Sequence, residues 1–183
     1  MLRPLILLVS LLATLAACAA PPPPPQLGPD GKPLPRLYRI TAADERRIPF
    51  EVLDSVNALR AAAGAPPVAL DEALTAAAAT HARDMSVQNR PWHFGSDGSS
   101  PIDRVRRVGY DGQFRGETIS ETYETEVETL AAWMQEAPTR EIILDPQADE
   151  MGIAWYQEPG GKIWWTMVFG TSGAGGAADV PQG

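Results

Sequence analysis

Few side chains in this chain have a type and spacing suited to chemistry. The 183 residues contain one cysteine, Cys18, and two histidines, His81 and His93. One cysteine can form neither an internal disulfide nor a thiolate cluster for zinc, and the sequence has no His-Glu-x-x-His signature of zinc proteases. The segment Gly95–Ser99 is not the Gly-x-Ser-x-Gly motif, and no predicted strand precedes it to form a nucleophile elbow. Nucleophilic catalysis therefore has little support, and imidazole and carboxylate groups are left as candidates.

Cys18 closes a segment that is typical of an export signal. A basic start is followed by apolar or small residues over most of positions 5–17, a run shorter than the about 20 residues of a membrane-spanning helix. Leu15-Ala16-Ala17-Cys18 resembles the lipobox of bacterial lipoproteins, in which a diacylglyceryl group is attached to the cysteine before cleavage. We predict a signal peptide over residues 1–17 and a lipid anchor on Cys18. Ala19 after the cysteine favours the outer membrane, facing the periplasm, in a Gram-negative host.

Two segments of biased composition flank a region of domain size. Residues 18–40 combine the lipidated cysteine with a linker that contains eight prolines, and polyproline II at about 3.1 Å per residue would hold a domain roughly 50 Å from a membrane. Residues 171–183 are rich in Gly and Ala and predict a disordered tail. Residues 41–170 have the size of one ordinary domain.

The charge balance of the chain is acidic, with 15 basic and 23 acidic residues and a net charge of −8. The sequence contains no basic cluster, which argues against nucleic acid as a partner. Anionic lipid head groups would repel such a domain, so the lipid on Cys18 is the expected membrane contact. The sequence names no protein partner.

Hydrophobic periodicity predicts several helices before residue 140. The clearest covers residues 72–88, where Asp71 can cap the first turn. His81 falls on the apolar stripe of this helix, and we expect a buried, hydrogen-bonded structural histidine there. The other predicted helices cover residues 49–64, about 100–109 and about 122–137.

The last part of the domain changes its period from helical to alternating. Apolar residues alternate over residues 151–155 and 163–169, on either side of the turn Glu158–Gly161, which predicts an antiparallel hairpin. Helices followed by a terminal hairpin indicate an α+β fold, with helices packed on a small sheet.

Four blocks of sequence together resemble one known family. In order and spacing over about 120 residues they are similar to the CAP superfamily, which groups cysteine-rich secretory proteins, venom allergens and plant pathogenesis-related proteins, and the second block is similar to its bacterial branch. The resemblance implies an α-β-α sandwich with a small antiparallel sheet. The blocks are Val56–Arg60 with Gly64 and Pro67, His93–Pro101 with Asp103-Arg104 and Gly109-Tyr110, Gly116-Glu117-Thr118, and Trp165–Gly170.

The resemblance also implies a cleft that commonly holds two histidines and two glutamates, often around a divalent metal. His93 matches the first histidine and Glu117 the first glutamate. Glu136 matches the second glutamate, three residues after Trp133 and therefore on the same helix face. The second histidine has no match. Some members have it where Trp164 stands, and the bacterial branch often has it in a turn where this chain has Ala137-Pro138-Thr139-Arg140.

Two interpretations of His93, Glu117 and Glu136 stay open at this stage. They form either a site for a divalent cation such as zinc, with water at the open positions, or a hydrogen-bonded network without metal. The loss of one imidazole should weaken zinc binding and leave a less selective, oxygen-rich site.

From these residues we expect an exported, lipid-anchored and non-enzymatic binding module of the cell envelope. The family resemblance implies a small hydrophobic ligand, a divalent metal or both in the His93/Glu117/Glu136 cleft. The alternative is a metal-assisted hydrolase or peptidase that acts on envelope substrates, with Glu117 or Glu136 as general base. A third interpretation is an envelope scaffold without chemistry in the cleft.

Overall fold

The structure, a computed structural model, describes Pro29 and residues 37–122 and 124–173. The predicted signal peptide, Cys18 and most of the predicted linker and tail lie outside these residues. The helices and strands follow in the order α1 (Ala42–Ala63), β1 (Ala69–Leu70), α2 (Glu72–Gln88), α3 (Pro101–Arg107), β2 (Gln113–Thr122), α4 (Glu126–Gln135), α5 (Ala137–Ile143), β3 (Glu150–Gln157) and β4 (Ile163–Thr171).

The four strands form one sheet in the order β1-β3-β4-β2. The predicted hairpin is present as β3 and β4, which pair antiparallel, and β2 pairs antiparallel with the other edge of β4. The two-residue strand β1 pairs parallel with β3, so the sheet is small and mainly antiparallel.

Helices cover both faces of the sheet, because strand side chains point alternately to opposite sides. Trp165, Met167 and Phe169 of β4 share one core cluster with residues of α1, α4 and α5. Val168 of β4 packs instead with Leu74 of α2. The α+β fold predicted from the sequence and the α-β-α sandwich implied by the family resemblance are therefore confirmed.

Helix α2 has the predicted bounds, whereas α1 begins earlier than expected. The Asp71 side chain accepts a hydrogen bond from the Leu74 N–H and caps α2. The predicted start of α1 at Pro49 is wrong by seven residues, because Thr41 and Asp44 form a capping box and start the helix at Ala42. Pro49 lies inside this helix.

The single helix predicted over residues 122–137 is two helices, α4 and α5. Pro138 lies in the first turn of α5, and in a continuous helix its ring would clash with the carbonyl four residues earlier. Within the described ranges no helix has both the length and the apolar character needed to cross a membrane.

Candidate functional site

His93 and Glu117 come together, as the family resemblance implied. Strand β2 places the Glu117 carboxylate beside α2, and the loop after α2 brings the His93 ring to it. The His93 Nδ1 donates to Glu117 Oε1 over 2.9 Å. The His93 side chain is 50 % exposed and that of Glu117 only 2 %. One side of the imidazole is therefore fixed inside the protein while the ring reaches the surface.

Arg104 completes the site, and sequence reasoning did not identify it as a site residue. Its Nη2 donates to both Glu117 oxygens, at 2.9 and 2.7 Å, and the Arg104 side chain is 4 % exposed. Its Nη1 donates to the carbonyls of His93 and Ser99 at 3.0 and 3.3 Å. The guanidinium thus joins β2 to the loop that carries His93. The only sequence signal was the Asp103-Arg104 pair within the second family block.

His81 is buried beside the same carboxylate, and it is the hydrogen-bonded structural histidine that we expected. Its Nε2 donates to the carbonyl of Trp92 over 3.0 Å and lies 3.7 Å from Glu117 Oε1. Because this hydrogen bond fixes Nε2 as the protonated nitrogen, the ring is a donor toward the loop.

The pKa values of the buried groups are shifted by their surroundings. Burial alone would raise the pKa of the Glu117 carboxyl, but the hydrogen bond from His93, the nearby His81 and the Arg104 guanidinium hold this pKa below its usual value. Burial lowers the pKa of His81, the Arg104 charge adds to this effect, and Glu117 opposes it. At neutral pH the core of the site therefore contains a carboxylate, a guanidinium and a neutral imidazole.

Glu136 does not join this cluster. Helix α4 ends at Gln135, and Glu136 has an extended backbone with φ −87° and ψ 128°, so it does not share a helix face with Trp133 as predicted. The Glu136 side chain is exposed, whereas Trp133 is buried and donates through Nε1 to the Ile119 carbonyl. Among the described residues the Glu136 carboxylate has no hydrogen-bond or ion-pair partner.

The residues present do not fit a divalent metal. Both oxygens of Glu117 already accept hydrogen bonds from Arg104, and a guanidinium beside a cation site would repel the metal. Over residues 37–122 and 124–173 no group of three or more histidine, cysteine, aspartate or glutamate side chains is arranged to hold a metal ion. His93, Glu117 and Arg104 are joined in a hydrogen-bonded network that does not include Glu136.

An indole, Trp164, stands at one of the two positions where the family resemblance places the missing second histidine. Trp164 is fully buried and packs with Ala82 and Met85 of α2. Its Nε1 donates to Glu158 Oε1 over 2.7 Å, and the ammonium of Lys162 lies 3.8 Å from the ring centroid. The side chain of Trp164 therefore packs in the core, and it supplies no imidazole to the site.

The network fixes the backbone of three successive residues, Trp92, His93 and Phe94. Their carbonyls accept hydrogen bonds from His81, Arg104 and Gln88 respectively, the last over 3.1 Å. The His93 and Phe94 side chains remain exposed, and that of Trp92 is half-buried. The buried cluster therefore holds a loop in place so that it presents aromatic rings at the surface.

An apolar hollow of about 720 Å³ lies elsewhere, between the first halves of α1 and α2. Its lining includes Phe50, Leu70 and Ala76, and Phe50 is exposed. A small hydrophobic ligand would find apolar walls there rather than at the polar cluster around Glu117.

The model of the cysteine-rich secretory protein family, CAP, matches residues 53–169. The YkwD protein of Bacillus subtilis is 29 % identical over 120 residues, which are 66 % of this chain and 46 % of YkwD, so the chain spans under half of that relative.

Two solved structures are similar in fold. An extracellular SCP-domain protein of Bacillus anthracis has a TM-score of 0.64 and 22 % identity, covering 74 % of this chain and 45 % of its own. An outer surface protein of Borrelia burgdorferi has a TM-score of 0.61 and 16 % identity, covering 75 % of this chain and all of its own.

Proposed function

Because the chain belongs to the cysteine-rich secretory protein (CAP) family, we propose that it is an exported, lipid-anchored and non-enzymatic binding module of the cell envelope. The export signal and Cys18 support the location, with the outer membrane facing the periplasm as the proposed site. The names of two similar structures, an extracellular protein and an outer surface protein, fit this location.

The observation that carries the proposal is the buried pair of Arg104 and Glu117. A general base needs a carboxylate with a free lone pair directed at substrate or water, and a metal site needs the same oxygens as ligands. Here Arg104 and His93 donate three hydrogen bonds to the carboxylate, and the Glu117 side chain is only 2 % exposed, so its oxygens face the protein rather than substrate or bulk water. The carboxylate acts as an acceptor that orders the Trp92–Phe94 loop, and this argues for display of a binding surface over hydrolysis.

Native mass spectrometry of the lipidated chain, extracted from bacterial membranes in non-ionic detergent, tests the proposal. We expect a co-purifying ligand and no stoichiometric metal. Chelator-sensitive hydrolysis of envelope polymers or peptides that is lost in His93→Ala would overturn it and favour the metal-assisted hydrolase. His93 is a suitable position because its side chain is half exposed, so the variant should fold.

The small hydrophobic ligand implied by the family remains part of this proposal, with the hollow between α1 and α2 as its place. Phe50→Asp would put a charge on an apolar wall of this hollow without touching the cluster around Glu117. Loss of a co-purifying hydrophobic ligand in Phe50→Asp, and its retention in His93→Ala, are the expected results. The reverse pattern would place that ligand at His93.

A further inference from the structure

The C-terminal half of α2 and the loop after it present a surface whose character differs from the acidic remainder of the molecule. We name it the basic aromatic face. Arg83 and Val87 lie one turn apart on α2 and are both exposed. The face consists of two stacked pairs on different sides of this end of α2, Arg83 on Tyr156 and Arg90 on Trp92, with Val87 and Phe94 exposed beside them.

Both arginines of the face are stacked on aromatic rings. The Arg90 guanidinium lies 3.8 Å from the ring centroid of Trp92, and that of Arg83 lies 5.5 Å from the centroid of Tyr156. Stacking orients a guanidinium while its N–H groups stay free to donate. Within the part of the chain that the structure describes, neither arginine has an ion-pair partner. The face therefore offers two oriented cations on a molecule of net charge −8.

The apolar part of the face is exposed, and its indole is held by a hydrogen bond. Val87 is 75 % exposed and Phe94 47 %. The Trp92 indole is fixed by its hydrogen bond to Gln88 Oε1 at 2.7 Å, and its ring lies 5.5 Å from that of Phe94. Since rigid aromatic side chains lose little conformational entropy when they bind, their display beside arginines is typical of recognition surfaces.

The chemistry of the face selects the ligand class. Aromatic rings pack on the flat apolar faces of rings such as those of sugars, and guanidinium groups donate pairwise to carboxylates. If extended as polyproline II, the 18 residues between Cys18 and Leu37 would span roughly 50 Å, which favours a ligand away from the membrane surface. A polymer with both sugar rings and carboxylates satisfies these conditions.

We propose that the basic aromatic face binds a carboxylate-bearing glycan of the cell envelope, with a sugar ring on the exposed Phe94 and carboxylates on Arg83 and Arg90, the latter oriented by Trp92. This inference goes beyond the proposed function and rests on it only for the exported location. The cluster around Glu117 contributes by holding the loop that carries Trp92 and Phe94.

Co-sedimentation of the full lipidated chain, in non-ionic detergent, with insoluble peptidoglycan sacculi tests the inference. Chitin supplies N-acetylated sugar rings without carboxylates, and soluble polyglutamate supplies carboxylates without rings. We expect sedimentation with sacculi that weakens as salt rises, little sedimentation with chitin, and weak competition by polyglutamate.

Variants of the face give the second part of the test. The double variant Arg83→Gln/Arg90→Gln should bind sacculi about tenfold more weakly, and Phe94→Ala should also weaken binding. The matched control Arg46→Gln/Arg106→Gln removes two exposed arginines outside the face and changes the net charge equally, so it should bind as the parent does. Equal losses in the two double variants, equal binding to chitin, or no sedimentation with sacculi would overturn the inference.

The same experiment separates the two proposals. Soluble fragments released from sacculi would overturn the non-enzymatic function and leave glycan binding intact. Failure to sediment, together with a ligand found by native mass spectrometry, would overturn only the glycan inference.

Discussion

The guanidinium of Arg104 and the carboxylate of Glu117 meet inside the protein, where Nη2 lies 2.9 and 2.7 Å from the two carboxylate oxygens. The pair joins α3 to β2, and through the carbonyl of His93 it also holds the loop after α2. The positive charge that a divalent metal would bring to such a carboxylate is thus supplied by the chain itself. The pair therefore supports the surface loop that carries His93.

Replacing Glu117 by Gln should destabilise the fold by about 3–5 kcal/mol, because Arg104 would remain as a buried cation without a counter-charge. Urea unfolding followed by circular dichroism measures this loss. The control is Arg107→Gln, which breaks the exposed pair with Asp97, where both side chains are more than half exposed. That change should cost less than about 1 kcal/mol. A Glu117→Gln loss as small as the control's would contradict the structural role of the pair.

Acidification should destabilise the protein through His81. Its pKa is lowered in the folded state, so below about pH 6.5 the unfolded chain binds a proton that the folded chain does not, and stability falls with pH by up to about 1.4 kcal/mol per unit. The pKa of the Glu117 carboxyl is lowered in the folded state as well. Its contribution to the free energy of unfolding is therefore complete above its usual pKa and is lost as the pH falls through its lower, folded-state pKa.

The measurement for His81 is the free energy of unfolding between pH 7 and pH 5. His81→Gln keeps a donor for the Trp92 carbonyl but cannot titrate, so its stability should depend less on pH than that of the parent. Parallel pH curves for the two proteins would show that His81 is not responsible.

Zinc should not raise the melting temperature of the protein by binding at His93. A site that binds with a Kd one hundredth of the zinc concentration would stabilise the fold by about 2.7 kcal/mol, which thermal unfolding would detect readily. We expect the parent and His93→Ala to respond equally to about 1 mM zinc. A shift in the parent that is absent in His93→Ala would indicate a metal site despite Arg104.

Most of the fold could be predicted from the sequence because its signals are local. Asp71 caps α2, and alternating apolar residues marked β3 and β4. The start of α1 could not be placed, because proline is favoured in the first turn of a helix and Pro49 therefore indicated a later start. The capping box at Thr41 and Asp44 was the better signal.

The candidate site was less predictable because its contacts are long-range. Family motifs brought His93 and Glu117 to attention, but an arginine in a short basic helix looks like a solvated residue until the fold buries it. Glu136 was misplaced because the end of α4 depends on how Pro138 breaks the helix, and helix boundaries shift by one or two residues. The burial of Arg104 and the end of α4 both depend on tertiary packing, which local sequence patterns do not determine.

The membrane anchor is predicted from the sequence alone. Cys18→Ala should move the protein from the membrane fraction to a soluble fraction and abolish its labelling with a radioactive fatty acid. Without the thiol of Cys18 no lipid can be attached there, and the acidic domain then has no membrane contact. An unlabelled protein that still sediments with membranes would contradict the lipid anchor. Ser10→Ala, within the apolar part of the signal, is the control and should change neither result.

The packing of α2 on the sheet requires glycine at position 152. A Cβ atom there would lie closer than 3.0 Å to the backbone carbon of Leu74 and to the nitrogen of Thr75, both in the first turn of α2. Backbone cannot move aside as a flexible side chain can, so Gly152→Ala should force α2 away from β3 and destabilise the fold by about 3 kcal/mol or more. Gly160→Ala is the control, since a Cβ in that hairpin turn meets nothing within 4 Å.

The same substitution at Gly152 should also loosen the Trp92–Phe94 loop, because α2 carries His81 and leads into this loop. We expect Gly152→Ala to weaken the protection of the Trp92–Phe94 amides from hydrogen exchange. Unchanged exchange of these amides would show that the loop is held independently of α2.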